Sequence, residues 1–476
     1  MPAPQSLAEL EADVARDLEL TAHPRARWLL PKTSGGAPVL DCLVIGAGQC
    51  GLAVAHALRR DRVDNLLVVD RAPEGREGPW VTYARMRNLR SPKNQIGPDL
   101  KLPALTYQAW HEALWGAADF AAMPWIPKER WQDYLGWFRR VTGIPVRNGV
   151  AAGAIAPART DDDLPCLRIE TSDRPLLARK VVMATGQIGI GTWWMPEIVA
   201  ALPGSLRAHA ADEIDFAALR GKVVAVLGAG ASAFDNAAAA LEAGAAEVHL
   251  FCRRAQPMDV QPYRWLTFAG FLKHLHEMPD EWRWRFMARI LGMREGFAQE
   301  TFDRVSRFLN FTMHLDRPWT DARVEGGRAM LATPRGAFVA DFLICGTGVR
   351  MDPAAVPELA HCAGNIAQWH DRYAPPPAEA DERLGCFPYL NPDSSFAEKR
   401  PGETPWIRDI HLFGIGTSLS FGPAGSSINA MSISAPRVAA GVTRGLFAAD
   451  MPRLFDELLA YDVKQVVLDP ARIAAE

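Results

Sequence analysis

The chain has 476 residues, more than one hydrophobic core of ordinary size accommodates, so two or three domains are expected. Its 49% apolar and 22% charged residues exclude a disordered or fibrous protein, and a net charge of -3 argues against nucleic acid or an anionic membrane as the main partner. The cysteines at 42, 50, 166, 252, 345, 362 and 386 form no CxxC pair, which points to a reducing compartment and away from a zinc site or dithiol redox centre.

From Met1 to about Leu30 the chain carries Glu9, Glu11, Asp13, Asp17 and Glu19 within its apolar pattern, so this stretch does not read as a secretory signal. Leu7, Leu10, Val14 and Leu18 fall at helical spacing and predict a short amphipathic helix docked on the body, its acidic face arguing against a membrane anchor. No run reaches the roughly 18 apolar residues of a spanning helix, and a cytoplasmic location is expected.

Leu43-Val44-Ile45 then runs as an apolar strand into Gly46-Ala47-Gly48-Gln49-Cys50-Gly51, followed by the helical pattern Leu52 to Leu58. In such a turn the first glycine makes the bend, the second admits a pyrophosphate close to the backbone and the third lets the helix pack against the strand. The helix N-terminus adds free N–H groups and a partial positive charge. A second strand, Leu66-Leu67-Val68-Val69, ends in Asp70, at the spacing where a carboxylate takes ribose hydroxyls. The polar segment from Arg71 to Thr106, with Gly78-Pro79-Trp80 and Leu89 to Gln95, reads as an active-site loop; a solvated surface excursion is the alternative. Aromatics dominate from Tyr107 to Val141, and Trp131, Tyr134 and Phe138 at helical spacing are expected in a core.

Short strands follow, among them Cys166 to Glu170 and Lys180 to Met183, the latter entering the small-residue turn Ala184-Thr185-Gly186. Lys222 to Leu227 then leads into a second glycine turn, Gly228-Ala229-Gly230-Ala231-Ser232-Ala233, with a helix to Ala243 and a strand, Glu247 to Phe251, that ends in Cys252-Arg253-Arg254. Arginine there can clamp a 2′-phosphate that a carboxylate repels, although an exposed arginine pair is also compatible with simple solvation. Two such turns in one chain point to two nucleotide cofactors. Pro257 to Pro318 is helical and aromatic, fitting either a lining for a substrate pocket or a subdomain with its own core. Ala340 to Gly348 repeats the strand and small turn, Asp352 to Pro405 is weakly patterned, and Ile410 to Gly416 is a buried strand followed by Gly425-Ser426-Ser427 and a helix to Phe447.

In this order the motifs resemble the class B flavoprotein monooxygenases: the flavin-containing, N-hydroxylating and Baeyer-Villiger monooxygenases. The resemblance implies an α/β fold with two Rossmann-like dinucleotide-binding domains, the NADPH domain inserted in the FAD domain. Residues 1–37 form an N-terminal helical extension, 38–190 and 346–476 the FAD domain, and 191–345 the NADPH domain with a helical insertion at about 257–318. It implies FAD contacts from Gly46, Gly48, Gly51, Asp70, Arg71, Trp80, Gln95, Val150, Thr185, Gly186, Gly416 and Ser427. NADPH contacts fall to Gly228, Gly230, Ser232, Ala233, Arg253, Arg254 and Thr347, and candidate catalytic residues are Lys93, Asn94 and His209. Departures exist: Gly78-Pro79-Trp80 lacks one glycine of a GGxW turn, Ser91 precedes Pro92-Lys93 where relatives carry Asn, and Leu202 to His209 matches F-x-G-x-x-x-H only in part. The implied reaction uses NADPH, FAD and O2 to place one oxygen atom on a small substrate through a flavin C4a-(hydro)peroxide. No metal is implied. Alternatives are an FAD-dependent NAD(P)H reductase or oxidase without oxygen transfer, and a flavoprotein sensor without turnover.

Overall fold

The computed structural model describes residues 6–22, 24–293, 296–423, 427–469 and 472. Helix α1 (Leu7–Leu20) starts at a reciprocal cap between Ser6 and Glu9 and buries Leu10 and Val14. A short strand β1 (Lys32–Ser34) pairs antiparallel with β2 (Ala37–Ile45), and helix α2 (Gln49–Arg60) and strand β3 (Leu66–Asp70) complete a βαβ unit. Beyond the polar segment, α3 (Tyr107–Ala122) and α4 (Lys128–Thr142) carry the aromatic run into one core with α1 and α2. There Trp131, Tyr134 and Phe138 are buried, as the helical spacing predicts.

Strands β4 (Val146–Asn148), β5 (Ala152–Arg159), β6 (Pro165–Thr171) and β7 (Leu176–Gly186) follow. The parallel strands of this first sheet run in the order β4-β3-β2-β7, with β18 (Ile410–Gly414) beside β7 at the far edge and β5 and β6 forming an antiparallel hairpin on the start of β7. The chain leaves by β8 (Gly191–Trp193), the short helix α5 (Glu197–Ala200) and β9 (Arg207–His209).

A second parallel sheet, ordered β12-β11-β10-β16-β9, is built from β10 (Val223–Leu227), β11 (Glu247–Phe251), β12 (Phe311–His314) and β16 (Phe342–Cys345) beside β9. Helix α6 (Ala231–Glu242) connects β10 to β11, and an antiparallel meander of β13 (Asp321–Glu325), β14 (Arg328–Thr333) and β15 (Gly336–Ala340) precedes β16. All these strands lie in sequence between β7 and β18. The return strand β17 (Val349–Met351) pairs antiparallel with the outgoing β8, so the two crossings between sheets run side by side. Val, Ile and Leu runs fill both sheets because their strands are covered on both faces.

Between β11 and β12 lie α7 (Pro262–Trp265), α8 (Ala269–His274), α9 (Asp280–Met293) and α10 (Gln299–Ser306). These helices do not form a subdomain with its own core. Leu266, Phe271, Trp284, Met287 and Ile290 pack with Trp369, Ile410 and Leu412 of the first sheet's side, whereas Val305 of α10 joins the core around α6. The helical stretch also ends earlier than the sequence suggests, because Phe311–His314 is the edge strand of the second sheet. Residues 352–409 form a series of short 3-10 helices, isolated bridges and the short helix α11 (Glu382–Gly385). After β18 come α12 (Ser418–Phe421) and α13 (Met431–Ala460), which continues beyond Phe447. Gly425 and Ser426 lie outside the described residues. Among the described residues no helix is long and apolar enough to cross a membrane.

Candidate active site

The first glycine turn sits at the carboxyl end of β2, where parallel sheets bind ligands. Gly46 has φ +106°, and a Cβ there would lie 2.4 Å from the Ala184 carbonyl oxygen. A Cβ on Gly51 would stand 1.8 Å from the Gly46 carbonyl oxygen, so only glycine fits. Gly48 instead faces open space bounded by Gly78, whose Cα is 3.8 Å from the position a Cβ would take. Helix α2 starts at Gly48 with no side-chain cap, which leaves its first N–H groups directed at that space. Asp70 closes the site at the end of β3, its two oxygens accepting the N–H groups of Ala47 (2.7 Å) and Ala72 (2.8 Å). Each oxygen keeps lone pairs for a further donor such as a ribose hydroxyl.

Several sequence candidates converge around this turn. The Trp80 indole is 8% exposed and its N–H has no partner among the described residues; both ends of the Gln95 amide are likewise buried and without a partner there. Buried polar atoms left unpaired cost about 1–3 kcal/mol each, so each of these groups is a candidate partner for a polar ligand. Val150 follows β4 and its N–H bonds the Asp70 carbonyl (2.9 Å). Thr185 donates to the Gly189 carbonyl (2.9 Å) beside Gly186. A Cβ on Gly189 would come within 3.3 Å of the Gly416 nitrogen, which brings the ends of β7 and β18 together. The Ser427 N–H bonds the Pro423 carbonyl, and Arg71 is exposed just past Asp70. These groups suit a flavin dinucleotide: an anion seat, a ribose acceptor, and unpaired amide and indole groups beyond.

The second turn repeats the geometry. Gly228 has φ +118°, a Cβ there would lie 2.5 Å from the Gly346 carbonyl oxygen, and Gly230 opens α6 without a side-chain cap. Ser232 is exposed in the first turn of α6, and Ala233 packs against Gly346. Where the first sheet has Asp70, the matching register places Cys252, with Arg253 exposed next to it. Arg254 is engaged elsewhere, donating to the Gly292 carbonyl (2.8 Å) at the end of α9. The Thr347 hydroxyl bonds the Trp194 carbonyl and fastens the returning strand to the outgoing one.

The candidate catalytic residues separate. Lys93 turns away from the glycine turn: its ammonium donates to the carbonyls of Phe120 (2.6 Å), Ala121 (3.0 Å) and Met123 (2.8 Å). Three donors on three carbonyls at the C-terminus of α3 make it a helix cap and leave none for a flavin. Asn94 is exposed. His209 ends β9, accepts the Ala211 N–H at Nδ1 (3.1 Å) and stacks on Trp193, which meets Tyr83 edge-on. Burial pushes its pKa down, so the ring stays neutral with its proton on Nε2.

Two groups escaped the sequence reading. Gln49, the variable residue inside the first turn, accepts the Trp131 indole N–H (3.1 Å), which ties the anion seat to the aromatic core. Arg90 forms a buried ion pair with Asp235 of α6. Neither carries a local signal, because each partner lies far away in sequence.

Comparison with known proteins agrees with this geometry. Residues 43–268 match the family described as pyridine nucleotide-disulphide oxidoreductase. Over 465 residues the chain is 39% identical to an FAD-dependent urate hydroxylase of Xanthomonas campestris pv. campestris, covering 97% of this chain and 98% of that relative. Among solved structures, L-lysine 6-monooxygenase from Pseudomonas syringae superposes with a TM-score of 0.65 at 19% identity, covering 85% of this chain and 99% of that one. The ornithine N-hydroxylase of Kutzneria sp. 744 gives 0.65 at 16% identity, over 86% and 99%. The last two show a shared fold. The near full-length relative shows more: the chain belongs to the class B flavoprotein monooxygenases.

Proposed function

We propose that this protein is an FAD- and NADPH-dependent monooxygenase acting on urate or a similarly flat, nitrogen-rich heterocycle. The balance is one O2 and one NADPH with a proton, giving one oxygenated product, NADP+ and water. FAD supplies the electron relay and O2 activation; the chain supplies seats, orientation and exclusion of water. The observation that carries the reading is the pair of uncapped helix N-termini at matching sheet ends, one beside a carboxylate and the other beside an exposed guanidinium, in a chain 39% identical to an FAD-dependent hydroxylase.

In this reading residues 38–190 and 346–476 hold FAD, and the inserted residues 191–345 hold NADPH. Gly46, Gly48, Gly51 and Gln49 seat the FAD pyrophosphate, Asp70 takes the ribose hydroxyls, and Trp80 and Gln95 donate towards the ring system. Gly228, Gly230 and Ser232 seat the second pyrophosphate, and Arg253 holds the 2′-phosphate. His209, neutral and stacked on Trp193 beside the crossing strands, keeps the two seats in register.

A dithiol reductase is disfavoured by the thiols: none of the seven is in a disulfide and six are buried, and burial pushes Cys50, the thiol at the start of α2, up to about 12. The test is direct. Purified protein is expected to be yellow, to bleach on anaerobic addition of NADPH, and to consume NADPH and O2 in equal amounts when urate is present. Bleaching with no urate-dependent product among heterocycles tested leaves only the reductase reading.

A further inference from the structure

The segment 85–95 runs from one glycine turn's neighbourhood to the other's, and its bonds divide by unit. On the first side, the Leu89 N–H bonds the Ile126 carbonyl (2.8 Å), the Lys128 N–H bonds the Arg87 carbonyl (3.1 Å), and Lys93 caps α3. On the second, Arg85 donates to the Asp212 carbonyl (2.9 Å), Arg87 to Glu242 (2.8 Å) and Asn88 to Glu300 (3.0 Å), while Arg90 pairs with Asp235. Five residues after Arg90 comes Gln95, whose buried amide has no partner among the described residues.

Asp235 lies in the second turn of α6, five residues beyond the uncapped N-terminus at Gly230, and is 3% exposed. Its carboxylate also receives Thr301 (3.4 Å) and Arg304 (3.5 Å), and Arg304 makes its shorter bonds to Glu242 (3.0 and 3.1 Å). Burial pushes the Asp235 carboxyl up, and Arg90 is the foremost influence holding it down. A carboxylate there opposes the anion that the helix N-terminus attracts, unless a cation beside it cancels the charge.

We propose that Arg90 and Asp235 are positioning residues with two linked tasks: their ion pair neutralises a buried carboxylate on the helix of the second phosphate seat, and it ties the segment carrying Gln95 to that helix. A dinucleotide settling on α6 thereby steadies the segment at the first cofactor's edge. This rests on the reading that NADPH binds at α6.

The two tasks separate by mutation. The experiment measures NADP+ affinity by titration of the purified flavoprotein and hydrogen exchange of peptides covering 85–95 with and without NADP+. The share of NADPH electrons lost as hydrogen peroxide gives a third readout. In the wild type, NADP+ is expected to slow exchange in 85–95. Arg90→Gln leaves Asp235 with only the longer contact to Arg304, a cation shared with Glu242, so NADP+ should bind about tenfold more weakly and 85–95 should no longer respond. Asp235→Asn removes the repulsion, so affinity should hold or improve while the response is lost all the same. The double variant should regain affinity without regaining the response, and both single variants should leak more hydrogen peroxide. Arg90→Lys, which keeps the charge, should stay within about twofold of wild-type affinity and covers the case in which Arg90→Gln does not fold. Equal loss of affinity in both single variants marks a general packing defect and overturns the proposal, as does a response in 85–95 that survives both. A wild type that binds no NADP+ overturns the parent reading as well; one that binds it without any response in 85–95 overturns this inference alone.

Discussion

The two nucleotide units differ by the position of one methyl group and by the charge at one strand end. Gly46 and Gly228 bend alike, each pressed against the carbonyl ending the neighbouring strand, that of Ala184 in the first unit and Gly346 in the second. In the first unit the helix contributes Gly51 and the strand Ala184; in the second the helix contributes Ala233 and the strand Gly346. A Cβ on Gly346 would lie 2.7 Å from the Ala233 methyl, so a methyl on one side excludes one on the other. Close helix-to-strand packing in the second unit therefore admits Ala233 because the facing Gly346 lacks a Cβ, whereas Gly51 in the first unit is required by the Gly46 carbonyl. At the strand ends, Asp70 accepts the Ala72 N–H through a carboxylate, and Cys252 accepts the Arg254 N–H through sulfur (3.4 Å). The local turn is kept while its charge is removed, which is what a 2′-phosphate nearby requires.

Mutation of the first unit's helix position should have the largest effect. Gly51→Ala places a methyl 1.8 Å from a backbone oxygen that cannot move without opening the turn. Loss of bound flavin, read as the absence of absorbance near 450 nm after purification, and a destabilisation above about 4 kcal/mol are expected. A yellow, wild-type-stable Gly51→Ala protein would show that the two units are packed by different rules. Next in size is Gly346→Ala, expected to cost about 1–3 kcal/mol by overpacking. Adding Ala233→Gly should recover much of that, moving the methyl from helix to strand as in the first unit. Denaturant titrations of the four proteins in the cycle give the coupling, expected at about 1–2 kcal/mol and favourable. Additive effects would refute the exchange.

The strand-end comparison predicts a smaller, purely functional change. Arg253→Ala should raise the NADPH KM by about 10–100-fold and the NADH KM hardly at all, the loss of a charge-assisted contact to phosphate. Cys252→Asp should restore the first unit's chemistry in the second and favour NADH further. Steady-state rates with both nucleotides check this, and equal shifts for the two would remove Arg253 from the phosphate site.

Both units were legible in sequence where a single backbone need fixes residue type. The glycine turns and the small-residue turns at 184–186 and 346–348 answer such a need, Asp70 and Arg253 were legible from the charge a strand end presents, and the structure places all of them at strand ends. What the sequence could not show is where long side chains spend their hydrogen bonds. Lys93 reads as a candidate catalytic residue beside Pro92, yet its three donors go to carbonyls at the end of α3. Arg254 looks equivalent to Arg253, but only in three dimensions does the Gly292 carbonyl lie within its reach. The helical stretch after residue 257 kept its secondary structure and lost its independence, because which core an apolar helix joins depends on the shape of the neighbouring sheet.

The smallest predicted effect concerns the opposite ends of the same sheets. Under the first sheet, Arg179 of β7 is buried between Asp450 of α13 (2.6 Å) and Asp41 of β2 (3.6 Å), so α13 closes that end. Under the second, Asp341 bonds Arg328 (2.7 Å) with both side chains partly in water. Burial pushes the Asp41 carboxyl up to about 6, with Arg179 opposing that rise and Asp450 adding to it. Below about pH 4 this group is protonated in both folded and unfolded chains and changes nothing. As pH rises towards 6 the unfolded chain releases the proton first, so stability falls, and above about pH 7 the full cost of the buried charge is present. Asp41→Asn should remove that slope: near-wild-type stability at pH 4.5 and a gain of about 1 kcal/mol at pH 8, with Arg179 still held by Asp450. Melting temperatures at the two pH values decide it. A loss of stability at pH 8 would mean that Arg179 needs both carboxylates, and that the closed end of the first sheet is held by a charged triad and not by one ion pair with a carboxylate to spare.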